Sequence, residues 1–112
     1  MTLITYTKKD VTEELQNRLA LNFHMAEEVV DGLFGVLRDM LMEESADKVR
    51  IEIRNFGVFE VKPTRAKPMA RNPRTNEVIH VPPRRKTHFK PGKILQEFLK
   101  KPRKGYEQNS SN

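Results

Sequence analysis

The side chains best placed to do chemistry in this chain are cations, and one proline sits among them. Arg71-Asn72-Pro73-Arg74-Thr75-Asn76 reads as a turn. Asparagine tolerates left-handed backbone angles, and proline fixes its own φ while restricting the residue before it. On either side lie runs that can extend, Val61 to Met69 and Glu77 to Arg85, both basic and spaced by Pro63, Pro68, Pro82 and Pro83. Proline is tolerated on edge or unpaired strands and excluded from central ones. The spacing therefore predicts a hairpin arm without sheet neighbours, covered in positive charge and tipped by a rigid apolar ring. Its chemistry is pairing with a polyanion, not bond making.

Catalysis finds little support. The serines are Ser45, Ser110 and Ser111, and no cysteine exists to act as nucleophile, disulfide partner or metal ligand. His24, His80 and His88 are scattered without metal-ligand spacing, and no glycine-rich phosphate loop is present. The reading is of a protein that is not an enzyme, with no metal, no cofactor and no small-molecule substrate.

Charge is segregated along the chain. Residues 1–61 hold 7 Lys/Arg against 12 Asp/Glu, a net of −5, whereas residues 62–112 hold 14 against 3, a net of +11. A solvated surface mixes the signs; a one-sided distribution is the footprint of a polyanion binder, and nucleic acid is the commonest such partner. No uncharged run approaches a membrane span, and the start lacks a basic leader with a long apolar core, so a cytoplasmic protein is expected.

The elements that must carry the arm can be read from periodicity. Thr7 with Asp10 resembles a capping box, and Val11, Leu15 and Leu19 mark an apolar stripe on a helix over about residues 8–20. Asn22 is an N-cap for a second helix from about Phe23 to Glu44, whose Val29, Val30, Leu33, Phe34, Leu37, Met40 and Leu41 make a wide apolar face. With residues 62–86 as an arm and 103–112 as a tail, the remaining body is small enough that self-association is expected. Gly32 and Gly35 inside that helix then read either as tolerated glycines or as a site of close helix crossing in a dimer.

Val49-Arg50-Ile51-Glu52-Ile53-Arg54 alternates as a strand with one buried face. Asn55-Phe56-Gly57 is a turn, Val58 to Val61 begins a second strand leading into the arm, and Val78 to Val81 is expected to return as the third. Phe89 closes the core. Pro91 fits the first position of a final helix over about 91–101, with Ile94, Leu95, Phe98 and Leu99 inward and Pro102 ending it.

Three stretches in this order resemble the HU/IHF family of bacterial histone-like DNA-bending proteins: Asn55-Phe56-Gly57-Val58-Phe59, Ala70 to Asn76, and Phe89-Lys90-Pro91-Gly92-Lys93. The resemblance covers roughly residues 7–102, leaving 1–6 as an N-terminal extension and 103–112 as a basic and polar tail. It implies an α+β fold, an intertwined dimer in which each chain gives a helix pair, a three-stranded antiparallel sheet with a long hairpin arm, and a short C-terminal helix.

The implied partner is double-stranded DNA, gripped and bent from the minor groove within the nucleoid. Homodimerisation is expected, with pairing to a paralogue left open. The implied intercalating residue is Pro73. Arg65, Lys67, Arg71, Asn72, Arg74, Asn76, Arg84, Arg85 and Lys86 would contact DNA from the arm and Lys93 from the body, with the backbone near Gly57 and Gly92. Leu33, Phe34, Leu37, Leu41, Phe56, Phe59 and Phe89 would form the dimer core.

The sequence departs from the family pattern at two places in the arm. The ascending side is one residue longer, with Pro63 the expected bulge, and Asn76 stands where a glycine is usual. A site-specific, IHF-like bending role is the alternative to binding with low sequence preference. A helix-turn-helix reading fails on charge, because the second helix presents Glu27, Glu28, Asp31, Asp39, Glu43 and Glu44 against Arg38 alone. An RNA- or acidic-protein-binding module is the remaining competitor.

Overall fold

The computed structural model describes residues 1–65 and 67–103; the side chains of residues 67–70, 80 and 81 lie outside that description, as do residues 104–112. The chain divides into a helical unit, Met1–Met42, and a second unit that starts at Glu43.

The helical unit contains α1 (Lys8–Leu19) and α2 (Phe23–Leu41). The Asp10 carboxylate accepts from the Thr7 N–H at 2.8 Å and from the Thr7 hydroxyl at 3.0 Å, so aspartate does the work that glutamate usually does in such a cap. Ala20 turns the chain out of α1 in the left-handed region at φ 53°. Asn22 Oδ1 then accepts the Met25 N–H at 2.9 Å and opens α2, as its residue type predicts.

The seam between the two helices differs from the stripe expected. Its buried residues are Thr12, Ala26 and Val30, while Leu15 is half-buried and Val11 and Leu19 are exposed. Small side chains allow two short helices to approach closely, and the Thr12 hydroxyl satisfies itself on the Lys8 carbonyl at 2.9 Å. Lys8 Nζ also meets Asp31 at 2.6 Å across the seam. Helix α2 stops at Leu41, short of the expected Glu44; the Met42 N–H bonds back to Arg38 and Asp39, and the Glu43 carboxylate takes the Ser45 N–H at 3.2 Å.

The second unit carries β1 (Val49–Ile53), β2 (Gly57–Pro63), β3 (Lys67–Arg71), β4 (Val78–Val81), β5 (Arg85–Pro91) and α3 (Lys93–Leu99). The antiparallel sheet has order β1-β2-β5, whereas β3 and β4 pair with each other alone. The third strand of the sheet is thus β5 and not Val78–Val81. The physical reason lies in Pro82 and Pro83, which cannot donate to a ladder and so separate the two sheets.

Pleating sorts the side chains of the larger sheet. Ile51, Phe59 and Phe89 stand opposite one another, and Val49, Val61 and Thr87 form the next row. The rings of Phe59 and Phe89 lie 4.9 Å apart, and that of Phe56 is 5.2 Å from Phe89. Asn55 makes the β1–β2 turn at φ 66°. Gly57 is required by close approach: a Cβ there would fall 2.5 Å from the Lys90 carbonyl oxygen and 2.6 Å from the Phe89 ring.

Pro91 ends β5 instead of opening the last helix. Gly92 is the N-cap of α3, and its N–H bonds the Phe56 carbonyl at 2.8 Å, tying the β1–β2 turn to the helix start.

Candidate nucleic-acid interface

The tip between β3 and β4 is closed by its own hydrogen bonds. Asn72 Oδ1 accepts the Arg74 N–H at 2.9 Å, the Asn72 carbonyl accepts the Asn76 N–H at 2.7 Å, and the Asn72 N–H reaches the Glu77 carbonyl at 2.7 Å. Asn76 takes φ 63°, the left-handed angle that the missing glycine would have supplied, and its side-chain oxygen accepts from Arg71 Nη1 at 3.1 Å. Within this brace Pro73 stands exposed at the apex, with Arg71, Arg74 and Thr75 exposed around it. Proline's locked φ and the asparagine bonds fix the ring's direction before any ligand arrives.

Behind the tip, the arm keeps register with the sheet. Lys62 faces Lys86 and Pro63 faces Arg85 in the β2–β5 ladder, and Thr64 exchanges bonds with Arg84 at 2.6 and 2.9 Å. The β3–β4 register shifts by one between Lys67 and Ala70, which is where an irregularity falls in the arm. Pro63 sits within a regular ladder and is not the bulge: it is the last residue of β2, where a missing N–H is tolerated.

The cations expected to meet the partner are placed unequally. Arg65, Arg84 and Lys86 on the arm and Lys93 at the start of α3 are exposed. The Lys67 side chain lies outside the described residues, as does the tail beyond Arg103. Arg85 is separated from its neighbours, since its Nη1 donates to the Glu43 carbonyl at 2.6 Å and lies 3.5 Å from that of Ala46.

One charged group was not anticipated as part of this surface. Glu60 lies at the centre of the sheet's polar face with its side chain 8% exposed. Lys90 Nζ stands 2.9 Å from it, His88 Nε2 3.3 Å, Arg50 Nε 3.5 Å and Lys62 Nζ 3.7 Å. The hydrogen bond from Lys90, aided by the charges of Lys62, Lys90 and Arg50, holds the Glu60 carboxyl below its ordinary 4.5 against the opposing effect of burial. The alternation of Arg50, Glu52 and Glu60, Lys62 with apolar residues carries the signal for this face; the convergence of three cations and a histidine on one carboxylate needs the β1–β2–β5 register. Among the described residues no cluster of His, Cys, Asp or Glu could hold a metal ion, and no helix is long and apolar enough to cross a membrane.

The apolar residues expected at a subunit interface are open in the single chain. Leu33 is 54% exposed, Phe34 45% and Phe56 47%, while Leu37, Leu41, Phe59 and Phe89 are half-buried. Ile94, Phe98 and Leu99 of α3 are exposed as well.

A family model described as bacterial DNA-binding protein matches residues 6–100. The integration host factor subunit beta of Xanthomonas campestris pv. campestris is 39% identical over 93 residues, covering 81% of this chain and 84% of that protein. The integration host factor subunit alpha of a Marinomonas species is 34% identical over 90 residues, covering 80% and 87%. A cocrystal structure of Anabaena HU with DNA superposes with a TM-score of 0.71 at 22% identity, covering 87% of this chain and all of that one, and shares the fold.

Proposed function

Because the chain belongs to the HU/IHF family of bacterial DNA-binding proteins, we propose that it is an architectural protein that binds duplex DNA as a dimer and bends it from the minor groove. The observation that carries this reading is the braced tip: an exposed proline at the apex of a cationic two-stranded arm. An apolar wedge entering between base pairs loses stacking and gains a bend that brings more phosphate against the protein. Pro73 is that wedge. Arg71, Asn72, Arg74 and Asn76 flank it in the groove, where readout is largely of width and A·T content. Arg65, Lys67, Arg84 and Lys86 take phosphates along the arm, and Lys93 takes one at the body.

The dimer follows from area. A chain of this size that leaves Leu33 and Phe34 of the helical unit, and Phe56 of the second unit, about half in water has apolar surface in each unit awaiting cover. A second copy supplies it with the same residues, in an isologous interface. The two arms then reach the duplex from opposite sides. Binding of this kind places the protein with chromosomal DNA and gives it no catalytic step.

Low sequence preference is the favoured form, because the reading rests on backbone cations and a wedge. The similarity to integration host factor subunits favours a second form in which bending is confined to particular sites. A single assay decides both points. Energy transfer between labelled DNA ends is followed for wild type and Pro73→Ala on mixed-sequence and A-tract duplexes. Loss of bending with the dimer intact is the expected result for Pro73→Ala; unchanged transfer removes the wedge. Affinities that differ by more than about 1,000-fold between duplexes move the protein to the site-specific form.

A further inference from the structure

Arg84, Arg85 and Lys86 are consecutive cations, and a strand cannot present all three to one surface. The β2–β5 register settles which side each takes. Lys86 stands opposite Lys62, on the face that carries Glu60, His88 and Lys90. Arg85 falls on the other face, in line with Thr87 and Phe89.

Its guanidinium is occupied there. Nη1 donates to the Glu43 carbonyl at 2.6 Å and approaches that of Ala46 at 3.5 Å, both in the linker between α2 and β1. The Glu43 carboxylate, bonded to the Ser45 N–H, keeps a negative charge beside it. Of the arm cations Arg65, Arg71, Arg74, Arg84, Arg85 and Lys86, only Arg71 and Arg85 have side-chain partners among the described residues. Arg71 stays within the tip, whereas Arg85 reaches another part of the unit.

The location gives this contact its consequence. Pro63–Arg85 is the last pair of the β2–β5 ladder, and Thr64–Arg84 follows as the chain passes from sheet to arm. A bond from this pair to the 43–46 linker holds the arm at its root. Both carbonyls are served by one nitrogen, Nη1, at the end of a side chain longer than lysine's and with a more pre-organised head group.

We infer that Arg85 is a positioning residue, a root anchor that aims the arm, and that phosphate pairing on this segment falls to Arg84 and Lys86. The inference rests on the DNA-bending reading for its functional half, but the anchor itself is measurable without DNA. The full-length protein is compared with Arg85→Gln, Arg85→Lys and Arg84→Gln by two readouts. The first is the set of amide order parameters of residues 43–48 and of Lys62, Thr64 and Arg65 in the free protein. The second is binding to a mixed-sequence duplex across a salt series.

Arg85→Gln is expected to lower the order parameters of both segments from about 0.85 toward about 0.6. Its log–log salt slope stays at the wild-type value, while affinity falls by one constant factor at every salt. Arg84→Gln does the reverse, flattening the slope by about 0.9 per lost phosphate contact and leaving the order parameters alone. Arg85→Lys keeps the charge on a shorter and more flexible stem that falls short of the 43–46 carbonyls, so it too loosens the linker without altering the slope. It also decides the matter if the glutamine variant fails to fold. Wild-type rigidity in Arg85→Lys, or a slope in Arg85→Gln that flattens as in Arg84→Gln, overturns the anchor. A wild-type protein that binds duplex without salt dependence would instead defeat the DNA reading, with the order parameters still deciding the anchor.

Discussion

Gly57→Ala tests whether the start of β2 is as closely packed as the structure requires. The new methyl would lie 2.5 Å from the Lys90 carbonyl oxygen and 2.6 Å from two carbons of the Phe89 ring. Carbon contacts are comfortable at about 3.5–4.0 Å, so roughly 1 Å of movement is demanded of both neighbours. Neither can yield easily. The carbonyl belongs to the backbone of β5, and the ring is held between Phe56 and Phe59 at 5.2 and 4.9 Å. Forcing a methylene into a packed site costs about 1–3 kcal/mol. Two obstructed directions place this site at the upper end. Opening the strand also strains the Gly92 N–H bond to the Phe56 carbonyl, worth about 0.5–1.5 kcal/mol. A loss of about 3 kcal/mol is expected, which at about 4–8 °C per kcal/mol lowers the melting temperature by roughly 12–24 °C. Thermal unfolding followed by circular dichroism, at one fixed protomer concentration, measures it. A melting temperature within about 4 °C of wild type would refute the close β2–β5 spacing at Gly57.

Gly32→Ala has open space around its new methyl in the single chain. It should stabilise an isolated helix by about 1 kcal/mol, but weaken a dimer whose second copy crosses there; sedimentation at several concentrations separates the two outcomes. Asn76→Ala loses the bond to Arg71 and strains a residue at φ 63°, so bending falls, whereas Asn76→Gly keeps the backbone angle and most of the bend in the energy-transfer assay. Glu60 has a carboxyl held below its ordinary value, so its contribution is full above 4.5 and is lost as pH falls through the lower folded value. Glu60→Gln should therefore narrow the stability gap between neutral and acid pH in urea unfolding, with its largest deficit against wild type on the neutral side.

What could be read from the chain alone was what local rules determine. The Thr7–Asp10 and Asn22 caps need only a side chain within three residues of the N–H it serves, and both are present. The Asn72–Asn76 turn is equally local. The errors fell where two distant segments negotiate. Val11 and Leu19 have the right period for a buried stripe, yet on α1 it is Thr12 that is buried, as Ala26 and Val30 are on α2. Val78–Val81 has strand composition, but Pro82 and Pro83 cut it off from the larger sheet, and Arg85–Pro91 takes the place beside β2. Proline marks irregularity in a sequence, which puts the expected bulge at Pro63. A proline can also end a regular strand, and the irregularity lies further out, between Lys67 and Ala70.

The same distinction explains why Glu60 escaped notice. As one acid in a basic half it reads as incidental charge. The register sets it directly between Arg50 and His88, with Lys62 and Lys90 two residues along their strands. Lys62 also faces Lys86, a like-charge pair that destabilises a sheet unless an anion intervenes. A protein that gathers cations for an absent polyanion must still fold before the polyanion arrives, and their mutual repulsion opposes that. One carboxylate at the centre of the face offsets much of the repulsion through the strands' own backbone geometry. Among the described residues no carboxylate is paired with Arg84 or Lys86, and both side chains are exposed. Positive charge is thus neutralised where the sheet must close and left exposed on the arm, the segment proposed to meet DNA.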